Sequence, residues 1–253
     1  MALSFVFGVA ALAALLPAAV QPFRQRQGGA VHGWTLLILA VAGPSLWSAN
    51  LFSGYWRADF AVALWLSISA SLLCFLVVCV INAKARALAP LLLPYLFLLG
   101  LAAMVFQAKD TGLDGGVAPS PWVIVHIVCS VATYALVTLA AVAGLSVFLS
   151  ERALKRKTSN RLTGHLPAVM DAERLLVGLL TASVVILAVG LLSGVVLELR
   201  ETGMILALDH KTILSIGAFV VIVGILYVHR KSGMRGRVAA RIVLLAYLLL
   251  TFA

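Results

Sequence analysis

Residues 122–150 read WVIVHIVCSVATYALVTLAAVAGLSVFLS, a stretch without a single Asp, Glu, Lys or Arg. A helix rises about 1.5 Å per residue and the apolar core of a bilayer is about 30 Å thick, so about 20 apolar residues suffice to cross it. Because lipid offers the backbone no hydrogen-bond partner, such a stretch is expected to be helical. It therefore predicts a membrane-spanning helix, and this prediction decides the fold class.

Similar apolar runs recur along the whole chain of 253 residues, which is 63% hydrophobic and only 11% charged. None shows the strict alternation of a barrel strand. The sequence therefore predicts an all-α, polytopic membrane helical bundle, a single integral membrane domain over 1–253 with about eight transmembrane helices. The eight runs are 2–20, 34–54, 60–82, 88–106, 122–150, 174–197, 211–229 and 237–253.

The cations are distributed unevenly between the connections. Of the 19 Lys and Arg, all but Arg57, Lys109, Arg200 and Lys211 fall on or beside the odd-numbered connections. The positive-inside rule makes those connections cytoplasmic and both termini extracytoplasmic, as in a protein of the bacterial inner (cytoplasmic) membrane. No cation precedes the first run, which favours a retained first helix over a signal peptide.

The same distribution excludes several classes of function. The net charge of +10 needs no nucleic-acid partner, because the cations lie where topology and lipid headgroups attract them. Cys74, Cys79 and Cys129 fall within predicted spans and show neither CxxC nor CxxCH spacing. No Ser-His-Asp order, HExxH or phosphate loop is present. We therefore expect no enzyme.

A polar stripe follows His126 along its predicted span. Steps of three and four residues collect Cys129, Ser130, Thr133 and Tyr134, which we expect to face the bundle interior and to hydrogen-bond across helices. His126 itself has two interpretations. It is either an interfacial histidine satisfied by a carbonyl or by water, or a metal ligand.

His210 opens the seventh predicted span, at the same, non-cytoplasmic side as His126. Two imidazoles converging there could bind a flat iron cofactor from its two axial sides. Asp209 would either orient the ring of His210 or cap the helix. The remaining histidines, His32, His165 and His229, fall on the cytoplasmic side and receive no role.

From His126 to the C-terminus the chain resembles the cytochrome c assembly protein family, which includes the CcsA, CcmC, HemX-like and YpjD-like proteins. The resemblance covers 122–253 and rests on VHIVCSVATYAL, LPAVMDAERLL followed by GLLSGVV, DHKTILS, and GMRGR before the last span. It implies that histidines at the outer membrane surface ligate haem, and the family's histidine before the long central span matches His126.

One family feature is missing here. Haem-handling members carry a tryptophan-rich outer loop ending in Trp-Asp, whereas the matching stretch, GVVLELRETGMILALDHKT, has no tryptophan and keeps only Asp209. The resemblance is therefore closest to the HemX-like and YpjD-like branch, which includes a membrane regulator of haem synthesis.

The resemblance implies a membrane haem-handling protein in cytochrome c biogenesis. His126 and His210 are then the expected axial ligands of the iron of haem b. We expect its propionates to meet a cation among Arg57, Lys109, Arg200 and Lys211, and its partners to be other cytochrome c maturation or haem-synthesis proteins. The alternatives are a non-enzymatic regulator or scaffold acting on haem synthesis and, more remotely, a secondary transporter.

Overall fold

The computed structural model describes residues 2–20, 30–51, 59–107, 120–157, 161–202, 210–232 and 237–252. Within these ranges the chain is helical and contains no strand, so the predicted all-α class is confirmed. A short 3₁₀ helix at Ala83–Leu88 precedes α4. The α-helices are α1 (Ala2–Val20), α2 (Ala30–Leu51), α3 (Phe60–Ile81), α4 (Ala89–Gln107), α5 (Pro121–Arg156), α6 (Arg161–His165), α7 (Val169–Thr202), α8 (His210–Ser232) and α9 (Arg237–Phe252).

Six of the described helices are long and apolar enough to cross a membrane, namely α2, α3, α4, α5, α7 and α8. In α1 and α9 the apolar segments among the described side chains are shorter, at Val6–Val20 and Arg241–Thr251. The chain is thus an integral membrane protein. The count of eight spans and the extracytoplasmic position of both termini stay predictions.

The contacts group the helices into two compact units. The first contains α1 to α4 with α6, and the second contains α5 and α7 to α9. In the first unit α1 packs on α2 and α4, and α3 packs on α2 and α4. Trp65 and Phe75 of α3 and Leu15 of α1 are almost fully buried there. Their large apolar side chains form the centre of this unit.

Small and hydroxyl side chains join α2 to its neighbours in the first unit. The Ser48 hydroxyl lies 2.8 Å from the Ser69 hydroxyl of α3. A β-carbon added at Gly43 of α2 would meet the Ala14 Cβ of α1 at 2.8 Å, closer than real Cβ atoms approach. The absence of a side chain at Gly43 therefore sets the distance between α1 and α2.

In the second unit α5 packs along α7 and also contacts α9, while α8 packs on α7 and α9. The hydroxyl groups of Tyr134 on α5 and Tyr247 on α9 lie 2.7 Å apart. Interhelical hydrogen bonds of this kind contribute roughly 0.6 to 2 kcal/mol each inside a membrane protein. The Tyr134–Tyr247 pair therefore fixes α9 against α5.

The role of Gly43 predicts the effect of a single methyl group. Gly43→Ala should lower the free energy of unfolding by about 1 to 3 kcal/mol, because α1 and α2 must separate to admit the added Cβ. Thermal unfolding of the purified protein in detergent measures the change. The matched control is Gly178→Ala on α7, where a Cβ would have no neighbour within 4 Å and should be neutral or stabilising. Equal destabilisation by both variants would contradict this account of the packing.

Candidate functional site

His126 lies near the beginning of α5 and faces α7. The helix begins at Pro121, a residue suited to the first helical turn because its missing N–H would have no partner there. His126 follows one turn later and is partly buried. Its ring contacts Gly190 and Ser193 on α7. His126 thus lies near one end of α5, at the contact between α5 and α7.

The Nδ1 atom of His126 has two partners on α7. It lies 3.2 Å from the carbonyl oxygen of Gly190 and 3.1 Å from the Ser193 hydroxyl oxygen. The Ser193 hydroxyl in turn donates its hydrogen to the Gly190 carbonyl at 2.7 Å. A carbonyl oxygen only accepts, and the serine hydrogen is already engaged, so Nδ1 of His126 must be the donor.

This arrangement determines which nitrogen of the ring is left for chemistry. In the neutral imidazole one nitrogen carries the hydrogen and the other carries a free lone pair. With the hydrogen on Nδ1, the lone pair of His126 is on Nε2. Metal-binding histidines commonly have their other ring nitrogen hydrogen-bonded to a carbonyl, which fixes both tautomer and ring orientation. This hydrogen bonding leaves Nε2 as the ring nitrogen with the lone pair that a metal ligand requires.

Two glycines of α7 allow α5 to pack closely against it. A β-carbon at Gly194 would lie 3.1 Å from the Cε1 atom of His126, and one at Gly190 would lie 3.4 Å from the Cβ of Cys129. His126 therefore faces Gly194, whereas Cys129, three residues later on α5, faces the earlier Gly190. The two helices thus run antiparallel. The spacing GLLSG is the small-xxx-small pattern that lets membrane helices approach closely. This pattern was the sequence signal for the close contact. Ser193 lies within it but was not among the predicted site residues.

The polar stripe on α5 is only partly as predicted. Cys129 lies against Gly190, Thr133 is buried, and Tyr134 bonds to Tyr247. The prediction was wrong for Ser130, which is exposed. Successive residues of a helix are turned by about 100°, so Ser130 turns away from α7 when Cys129 faces it.

A cation lies at the same end of the α5 and α7 pair as His126. The guanidinium of Arg200, in the last turn of α7, stands 5.2 Å from the ring centre of Trp122, one turn before His126. Both side chains are exposed. Of the other predicted cations, Lys211 is exposed on α8, whereas Arg57 and Lys109 lie outside the described residues.

His210 is the first residue of α8 and is exposed. Since α8 packs on α7, both histidines belong to helices that contact α7. Their convergence on one point stays a prediction, and Asp209 lies outside the described residues. Across the described part of the chain no three His, Cys, Asp or Glu side chains come together. A site with two axial histidines does not require such a group.

The tautomer of His126 can be measured directly. In protein labelled with ¹⁵N-histidine, the His126 signal should report hydrogen on Nδ1, and Ser193→Ala should move it toward a mixture of tautomers because one acceptor is lost. Loss of the signal in His126→Asn identifies it. The control Ser130→Ala removes an exposed hydroxyl from the same helix and should change nothing. A wild-type His126 signal that reports hydrogen on Nε2 would contradict the hydrogen-bond assignment.

Comparison with known proteins identifies relatives of the whole chain. A protein from Azospirillum brasilense, named "Uncharacterized 28.8 kDa protein in nifR3-like 5'region", is 44% identical over 258 residues, covering 100% of this chain and 95% of that protein. No solved structure matches. The family model described as Cytochrome C assembly protein matches residues 60–253, from the start of α3 to the last residue. With most of its length matched, including α5 and α7, the chain belongs to the cytochrome c assembly protein family.

Proposed function

We propose that this protein binds haem b in the membrane and handles it during cytochrome c biogenesis. Membership of the cytochrome c assembly family supports the role in biogenesis. The observation that carries haem binding is the hydrogen bonding of His126, whose Nδ1 atom is held by Gly190 and Ser193. The ring then offers Nε2 as a ligand, and imidazole is a common axial ligand of haem iron.

The donor set at this end of α5 and α7 fits haem. His126 would supply a nitrogen ligand, and Ser193 would orient its ring. His210 is the proposed second axial ligand because it opens α8, a helix that also packs on α7. The iron would supply redox chemistry when haem is bound. The residues of the chain bind and orient the cofactor.

Arg200 is the proposed partner of a haem propionate. Its guanidinium is held over Trp122, one turn from His126, and it is exposed. Arginine binds carboxylates through a planar fork of donors, and a ring beneath the guanidinium reduces the freedom lost on binding. Among the four cations considered from the sequence, Arg200 therefore has the best-supported position.

The proposal includes the orientation of the protein. With eight spans and both termini extracytoplasmic, the beginning of α5 and the end of α7 lie at the outer surface of the bacterial inner membrane. A non-enzymatic protein with haem there would deliver or present it to other cytochrome c maturation proteins. A regulator of haem synthesis would use the same site for sensing haem.

Haem binding is tested by loading the purified full chain with haem. The wild type should give a Soret band, and His126→Ala and His210→Ala should each lower haem affinity by at least about tenfold, because an axial ligand is lost. The matched control is His32→Ala, which removes an exposed histidine of the first unit. A Soret band and affinity unchanged in both His126→Ala and His210→Ala would end the proposal.

The role of Arg200 is tested with two forms of the porphyrin. Arg200→Gln should weaken binding of haem by about tenfold, the effect of one lost charge-assisted pair. Haem with both propionates esterified should bind equally to the wild type and to Arg200→Gln, since it presents no carboxylate. The control is Arg156→Gln, which removes an exposed cation from the opposite end of α5 and should leave haem affinity unchanged. Equal weakening for both porphyrins would show that Arg200 does not act on the propionates.

A further inference from the structure

Arg86 in the first unit has an unusual setting that haem binding does not use. It belongs to the 3₁₀ helix between α3 and α4, and its guanidinium carbon lies 4.2 Å from the ring centre of Trp34 on α2. Its Nε atom is buried and has no hydrogen-bond partner within the described residues. The side chain as a whole is only partly buried. The guanidinium thus lies against an aromatic surface, in a side chain that stays partly accessible.

The surrounding chain holds this arginine in place. Asn82 ends α3 and accepts a hydrogen bond from the Lys84 backbone at 3.1 Å, which starts the 3₁₀ turn. Ala85 and Leu88 of the same turn are buried and anchor it to the first unit. Arg86 is therefore presented by a well-packed turn.

No carboxylate of the first unit is expected near this charge. The acids of residues 1–118 are Asp59, Asp110 and Asp114, all in or beside the connections at the opposite ends of α3 and α4. Asp59 caps the beginning of α3, and the 22 residues of that helix separate it from Arg86 by about 30 Å at 1.5 Å per residue. Asp59, the one acid of the first unit among the described residues, is therefore too far away to pair with Arg86.

The neighbourhood of Arg86 fits a lipid better than a soluble anion. Val80 and Ile81, in the last turn of α3, expose 69% and 79% of their surface. Apolar side chains so exposed at the end of a membrane span are covered by acyl chains. Trp34 is a residue typical of the membrane interface, where phosphates of the headgroups lie. Cation clusters beside such helix ends bind anionic lipid.

From these observations we infer that Arg86, held over Trp34, binds the phosphate group of an anionic phospholipid at the membrane surface. The guanidinium supplies a planar fork of donors to the phosphate oxygens, as arginine does in phosphate recognition generally. Val80 and Ile81 then contact the acyl chains of the same lipid. This site is independent of haem and of the proposed orientation, because either surface of the membrane contains phosphate groups.

The test measures lipid binding by native mass spectrometry of the delipidated full chain in detergent. Phosphatidylglycerol should bind the wild type more tightly than phosphatidylcholine of the same acyl chains. Arg86→Gln should reduce that affinity about tenfold, the loss of one charge-assisted contact. The phosphatidylglycerol affinity of Arg86→Lys should lie between those of the wild type and Arg86→Gln. Lysine keeps the charge but lacks the planar fork of donors. Inorganic phosphate at millimolar concentration should not displace the lipid.

Two controls decide the interpretation. Arg156→Gln removes an exposed cation from the end of α5 and should leave phosphatidylglycerol affinity nearly unchanged. Trp34→Leu should weaken binding because Arg86 loses the surface that holds it. The inference is overturned if the wild type shows no preference for phosphatidylglycerol, if Arg86→Gln and Arg156→Gln act alike, or if inorganic phosphate competes fully. Should Arg86→Gln fail to fold, Arg86→Lys and the wild-type lipid preference still give the answer.

Discussion

The close approach of α5 and α7 at Gly190 and Gly194 is the contact on which the candidate site depends. Any side chain at Gly194 would press on the ring of His126, whose Cε1 atom lies 3.1 Å from the position of such a Cβ. Only at this short distance can Nδ1 of His126 reach both the Gly190 carbonyl and the Ser193 hydroxyl. The close packing of α5 on α7 thus determines which ring nitrogen of His126 is hydrogen-bonded.

The two interpretations of His126 left open by its sequence are compatible once the ring is seen atom by atom. Its Nδ1 atom is satisfied by a carbonyl, as expected of an interfacial histidine. That same bond leaves Nε2 with the lone pair that a metal needs. The hydrogen bond that anchors the ring uses Nδ1, so anchoring does not occupy Nε2.

Sequence reasoning predicted the helices well and the site only in outline. Apolar runs determine where membrane helices form, so the starts of α3, α5 and α8 fall within a residue of the predicted spans. The same runs underestimated α5 and α7, whose polar ends continue as helix beyond the apolar core. Ser193 was missed and Ser130 misplaced, because the side of α5 that faces α7 is set by contacts between distant residues. The convergence of His210 with His126 stays a prediction for the same reason.

The central claim is that Nε2 of His126 ligates iron when haem is bound. Electron paramagnetic resonance of the haem-loaded full chain, with histidine ¹⁵N-labelled at Nε2, measures the hyperfine coupling between iron and ligand nitrogen directly. The account predicts a coupling to labelled histidine in the wild type and its loss or weakening in His126→Ala. Haem that binds with the same histidine coupling in His126→Ala would contradict it.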